Sequence, residues 1–200
     1  FKIIIMRLLF VFVFLSSVAF GQNQNFNWCK SIGGIDSDIS ESITVDPNGN
    51  IYITGKFKST VDFDPGVSIS NMTSNGGSDI FITKFNSNGD YLWAKQIGSI
   101  ENDQAESICL DANGNIVLTG YFRNTVDFDP GVSTTNMTSN GGTDIFILKL
   151  TSNGDFLWAK QIGGSENDMA SSIAIDSVNS LYIIGKFKDT VDFNPGVGVS

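Results

Sequence analysis

Residues 42–57 read SITVDPNGNIYITGKF and residues 78–98 read SDIFITKFNSNGDYLWAKQIG, and these two runs decide the fold. In the first, Glu41–Asp46 (ESITVD) and Asn50–Phe57 (NIYITGKF) are β-rich segments joined by Pro47-Asn48-Gly49, and Asn-Gly is the strongest short hairpin signal. In the second, Asp79–Phe85 (DIFITKF) and Tyr91–Ile97 (YLWAKQI) are joined by Ser87-Asn88-Gly89-Asp90, a hairpin of the same kind. Four antiparallel strands follow. Both alternation sets are apolar, Ile80 and Ile82 on one face and Phe81 and Phe85 on the other, so this small sheet needs cover on both sides.

Working outward, the unit recurs. Trp28, Trp93 and Trp158 stand 65 residues apart, as do Gly55, Gly120 and Gly185, and Asp62, Asp127 and Asp192; Trp28–Leu92 aligns with Trp93–Leu157 without a gap. Sheets flanked by copies of themselves satisfy the two-sided pattern. A propeller blade is such a four-stranded sheet, of roughly 40 to 50 residues. The excess lies in Lys58–Ser78, a Gly-, Ser- and Asn-rich connection read as a long loop with a short edge strand at Thr60–Phe63. The expected fold is all-β, with β-propeller blades in a 65-residue repeat. Tandem small β-sandwiches are the competing architecture.

These runs resemble the bacterial SBBP β-propeller repeat, whose pattern is an Asp-x-x-Gly-Asn hairpin, an aromatic-x-x-Gly strand, then Asp-x-Phe-x-x-Lys and a Gly-Asp/Asn-x-x-Trp strand. The resemblance covers essentially everything after Asn25, and the VDFDPG run is similar to that of secreted proteins of Bacteroidetes-type bacteria. It implies an extracellular or surface propeller, often followed by a sorting domain. On this reading residues 1–21 are a signal peptide, 22–27 a short linker and 28–200 a partial propeller of about 2.6 blades. Residues 28–40 form a closing strand and loop, 41–97 blade 1, 98–162 blade 2 and 163–200 part of blade 3. The expectation is an N-terminal fragment of a longer protein.

The signal peptide is read from Met6-Arg7, the apolar run Leu8–Leu15, and Ala19 and Gly21 ahead of Gln22. Leu8–Phe20 is shorter than the about 20 apolar residues of a membrane-spanning helix, so no span is expected after cleavage. The expected destination is secreted or cell-surface. With 200 residues, 41% of them hydrophobic, the chain has material for a packed core. Twelve Lys+Arg against 21 Asp+Glu, a net charge of −9, argue against nucleic acid as a partner. There is no His, which removes the commonest general base and transition-metal ligand. Cys29 and Cys109 align with Ala or Thr in the other units and are read as two small buried thiols rather than a bridge.

Several residues carry candidate chemistry. Asp62-Phe63-Asp64-Pro65-Gly66 recurs as Asp127–Gly131 with Asp129, and as Asp192–Gly196. Paired carboxylates two residues apart suit a calcium ion, whereas Pro-Gly suits a tight turn with Asp64 at its start, and the turn is favoured. Asp46-Pro47-Asn48-Gly49-Asn50 reads as a hairpin turn and Trp93 and Trp158 as core. Asn71-Met72-Thr73 and Asn136-Met137-Thr138 fit a glycosylation sequon. The turns at 33–40, 98–104 and 163–169 are expected on the same rim as the VDFDPG loops, gathering Asp36, Asp38, Glu101, Asp103, Glu166 and Asp168 into an acidic binding face. Nearly every polar residue recurs, whereas catalysis needs one asymmetric constellation. The expected function is a non-enzymatic binding or adhesion scaffold for a protein or polysaccharide, without a cofactor apart from the calcium reading. The alternative is a propeller enzyme, a glycoside hydrolase or lyase, with catalytic residues in further blades.

Overall fold

A computed structural model describes residues 2–6 and 27–193. Every regular element among them is a strand. Lys2–Met6 (β1) lies parallel beside Trp28–Ile32 (β2). Ile39–Val45 (β3), Ile51–Asp62 (β4), Asn71–Phe85 (β5) and Tyr91–Ile97 (β6) form one antiparallel sheet in sequence order. Gln104–Leu110 (β7), Ile116–Asp127 (β8), Asn136–Leu150 (β9) and Phe156–Ile162 (β10) form the second. Met169–Ile175 (β11) and Leu181–Lys186 (β12) pair as the start of a third. The architecture is that of β-propeller blades. Apart from Lys2–Met6, the signal-peptide residues lie outside the described ones.

The apolar alternation assigns each blade two neighbours. Tyr52, Ile80, Ile82 and Ile97 of the first sheet pack against Ala105, Ile108, Leu118 and Leu148 of the second. The opposite face, with Ile51, Ile53, Phe81 and Phe85, packs against Ile32 and Trp28 of β2. Val117 and Ile147 on the far side of the second sheet meet Ile173, Leu181 and Ile183. The first strands run side by side: the Ile108 backbone N–H donates to Ser42 Oγ at 3.2 Å, and the Ile173 N–H donates to Ser107 Oγ at 3.2 Å. A bulge in each first strand opposite Gly55, Gly120 or Gly185 accompanies this contact. The backbone of the first strand lies where a side chain on that glycine would stand.

The stretch 58–78 is not a loop. β4 and β5 continue past the blade as a two-stranded ribbon, Thr60–Asp62 against Asn71–Thr73, leaving only 63–70 as a connection. Thr60 belongs to the same strand as Phe57 rather than to a separate edge strand. Two features hide this in the composition. Ser59 at φ 62° bends β4, and four residues of β5, Ser74–Gly77, stand opposite that single residue. Gly76 and Gly77 lie against the backbone of Ile100 and Glu101, so residues that read as flexible make room for the next turn. Phe63 then folds back under the ribbon, fully buried between Phe57 (centroids 5.3 Å apart) and Phe81 (5.2 Å); Phe122, Phe128 and Phe146 repeat the stack.

Both cysteines are free thiols, yet only Cys109 is half-buried. Cys29 is exposed, which corrects the expectation of two buried thiols. It alternates on β2 with Trp28, which turns toward the blade 1 hairpin.

Candidate functional site

The turns between blades are built around one acid each. Asp38 accepts the N–H groups of Gly34 (2.7 Å) and Lys58 (3.1 Å), Asp103 those of Ser99 (2.8 Å) and Arg123 (2.9 Å), and Asp168 those of Gly164 (2.7 Å) and Lys188 (2.9 Å). Each carboxylate thus fastens its turn to the following sheet, at the bend in β4 or β8 and, in the third unit, just past the end of β12. All three are buried. The six acids expected on one contact face therefore separate into two sets. Asp36, Glu101 and Glu166 remain accessible, reaching Ser59 Oγ (2.5 Å), Asn124 Nδ2 (3.5 Å) and Lys188 Nζ (2.8 Å). Beside them stand the exposed Lys58, Arg123 and Lys188, so the rim carries both signs of charge.

The VDFDPG carboxylates serve their own loop. Asp62 Oδ1 accepts the N–H groups of Asp64 (3.1 Å) and Ser70 (2.8 Å), and Asp64 Oδ1 accepts that of Gly66 (2.8 Å). Asp127 and Asp129 do the same with Asp129, Thr135 and Gly131. Asp192 is half-buried in the third unit. Among the described residues no group of three or more His, Cys, Asp or Glu side chains converges in a way that could hold a metal ion. The geometry is that of a tight turn closed by its acids.

A constellation that the repeat obscured sits where the first strands begin. Gln104 Nε2 donates to Glu41 Oε1 at 3.0 Å and to Glu106 Oε1 at 2.8 Å, and Gln104 Oε1 accepts from Tyr121 Oη at 2.9 Å. One buried amide thereby bridges carboxylates of adjacent blades. Burial, and then the Glu41 charge, raises Glu106 above the ordinary carboxylate range, while Lys56 and Lys186 pull the other way. Tyr121 is raised by burial and by Glu106, Glu41 and Asp103. Sequence reasoning missed this group because its members are the positions that differ: Ile39, Gln104 and Met169; Glu41, Glu106 and Ser171; Lys56, Tyr121 and Lys186. In a chain that otherwise repeats, those mismatched columns were the available signal.

The tryptophans are packing groups. Trp28 lies against Gly89 and donates to the Ser87 carbonyl at 3.4 Å, and Trp93 lies against Gly154 of the next blade. Asn71 and Asn136 of the sequons are exposed at the starts of β5 and β9.

Comparison with known proteins agrees with this architecture. A β-propeller repeat family model (SBBP) matches residues 27–56 and 157–186, spans that run from β2 and from β10 through the following turn into the next hairpin. An uncharacterized WD repeat-containing protein of Acanthamoeba polyphaga mimivirus is 26% identical over 188 residues, covering 80% of this chain and 13% of that protein. The regulatory protein FlaEY of Caulobacter vibrioides is 25% identical over 171 residues, covering 86% of this chain and 18% of its own length. The chain spans less than a fifth of either relative.

Proposed function

We propose that this chain belongs to a secreted or cell-surface β-propeller scaffold that binds a protein or polysaccharide through its rim and has no catalytic role. The observation that carries this reading is how the acids are used. Most of those described hold backbone amides in the same way from unit to unit, which leaves a repeated mixed-charge rim for contact and, among the described residues, gathers no separate set of nucleophile, base and oxyanion donors. Similarity to a WD repeat-containing protein and the match of a β-propeller repeat model support it. The bridged pair Glu41 and Glu106 favours the one rival, a carboxylate-dependent glycosidase, but the Gln104 amide occupies the space between them that a sugar would need.

The test uses the full chain against insoluble polysaccharides and isolated cell envelopes. Retention on one of these, lost in the triple variant D36N/E101Q/E166Q with its fold intact, is the expected result. Release of soluble sugar that stops on Glu106→Gln would overturn the scaffold reading in favour of the enzyme.

A further inference from the structure

Asp79 and Asp144 open the buried segments DIFITKF and DIFILKL at equivalent places, and both side chains are fully buried. One oxygen of each is well served. Asp79 Oδ2 accepts the Asn75 backbone N–H (3.1 Å) and Gln96 Nε2 (2.7 Å), and Asp144 Oδ2 accepts the Asn140 N–H (3.1 Å) and Gln161 Nε2 (2.6 Å). The other oxygen, Oδ1, has no hydrogen-bond partner in either unit. A buried charged oxygen without a donor is costly, and a proton removes the charge.

The surroundings supply no counter-charge. The ion pairs among the described residues are Lys149 with Asp111 and Lys188 with Glu166, and neither involves Asp79 or Asp144. Facing Asp79 are the neutral Gln96 of β6 and, from the turn, the buried Asp103 with Glu101 beyond it; Arg123 offers Asp103 only its backbone N–H. Facing Asp144 are Gln161 and the buried Asp168, with Glu166 and Lys188 paired to each other outside. Gly98 and Gly163 lie directly on the two carboxyl groups, leaving no room for a side chain. Each turn is stitched to its blade beside them: the Gly77 N–H donates to the Ile100 carbonyl (3.1 Å), the Asp103 N–H to that of Ser78 (2.8 Å) and the Asp168 N–H to that of Thr143 (2.6 Å).

We propose that Asp79 and Asp144 are proton-operated clasps, which fasten the inter-blade turns to the preceding blade in mildly acidic medium and slacken them in neutral medium. Burial, helped by the Asp103 charge, pushes the Asp79 carboxyl up to about 6, and burial with Asp168 moves Asp144 in the same direction. The folded chain then holds these protons more tightly than an unfolded one, where the group titrates at 3.8. The contribution to stability is therefore complete below that value and is lost as pH rises toward about 6. For Asp79 the gap of about two pH units corresponds to roughly a hundredfold change in the local opening equilibrium. The turns in question carry Glu101 and Glu166, so the clasps set how rigidly the rim is presented. The clasp does not depend on which ligand the rim takes.

Carboxyl-carbon NMR titration of the full chain, with amide exchange protection measured near pH 5 and near pH 7.5, tests the clasp. The expected result is that the Asp79 and Asp144 midpoints lie above those of the exposed aspartates, as does that of Asp103, which burial also raises. Protection of Gly77 and Asp103 should fall at least tenfold at the higher pH and that of Asp168 should fall in the same direction, while that of Gly49 in the blade 1 hairpin should hold. The double variant D79N/D144N should abolish the pH dependence. Midpoints of Asp79 and Asp144 in the ordinary carboxylate range, or protection with the same pH dependence in both proteins, would overturn the proposal. So would protection restored near pH 7.5 by millimolar calcium, which would make the place a cation site. If the variant does not fold, the titration of the unsubstituted chain decides alone.

Discussion

The acids of this chain divide by what faces their oxygens. Asp46, Asp111 and Asp176 each accept the N–H groups two and four residues on, so the reading of Asp46–Asn50 as a turn was legible from residue types alone. In the third unit Asn179 at φ 65° takes the place of Gly49 and Gly114, as left-handed backbone requires. Asp38 and Asp36 were indistinguishable in sequence, because burial depends on where the second strand bends. Asp111 differs from its copies in meeting Lys149 at 2.7 Å with its side chain fully buried. Burial works against its charge, but Lys149, Asn115 and Asn113 hold the carboxyl down at about 2. The equivalent Lys84 instead donates to the Ser152 carbonyl at 2.9 Å and lies 4.8 Å from the Tyr52 ring centre. Asp111→Ala should cost about 2–4 kcal/mol in urea unfolding, since it also strands Lys149, and Asp46→Ala should cost less. The Asp111 contribution, about 2 kcal/mol, is present above pH 4 and should fade as pH falls toward 2.

Strand identity was readable because both faces of each blade are apolar, and the two sets, Ile80 with Ile82 and Phe81 with Phe85, pack on opposite neighbours as alternation demands. The ribbon of β4 and β5 was not, since it is short and flanked by residues rich in Ser, Asn and Gly, and its order comes from Val61 and Phe63, which are fully buried. Adjacency of blades was readable from the two-sided apolar pattern, but the polar contact that accompanies it was not: it is made by a serine next to the bulge of the first strand. Ser107 is buried and Ser42 half-buried, each the acceptor for an isoleucine N–H of the next blade. Removing the acceptor leaves that N–H unpaired. Ser107→Ala should destabilise by about 1–3 kcal/mol and Ser42→Ala by less, with the loss of protection confined to the amides of Ile173 and Ile108. Equal, negligible effects on chemical unfolding would show that the blades are held by apolar contact alone.

At the scale of the molecule, each blade is completed by the next, and the same sequence feature acquires different weight along the array. The sequence made the units look equivalent, and treating repetition as proof of equivalence is what hid the Glu41, Gln104 and Glu106 group. The phenylalanine stacks show the same inequality in energetic terms. Phe122 and Phe128 are fully buried, 5.1 Å apart, and Phe146 of the third strand closes the stack at 5.2 Å. Phe187 and Phe193 repeat the edge-to-face pair at 5.1 Å, but with 57% and 52% of their surface exposed, since no third strand covers them among the described residues. Truncating a core phenylalanine costs about 3–5 kcal/mol through lost burial and the cavity left behind, whereas an exposed ring forfeits little beyond its pairing. Phe128→Ala should therefore lower the melting temperature of this chain severely and expose the blade 1–blade 2 seam to protease. Phe187→Ala should cost about 1 kcal/mol or less and leave cleavage at that seam unchanged. If the two substitutions proved equally damaging, stability would not be local to each pair of neighbouring sheets, and the array would have to unfold as one unit.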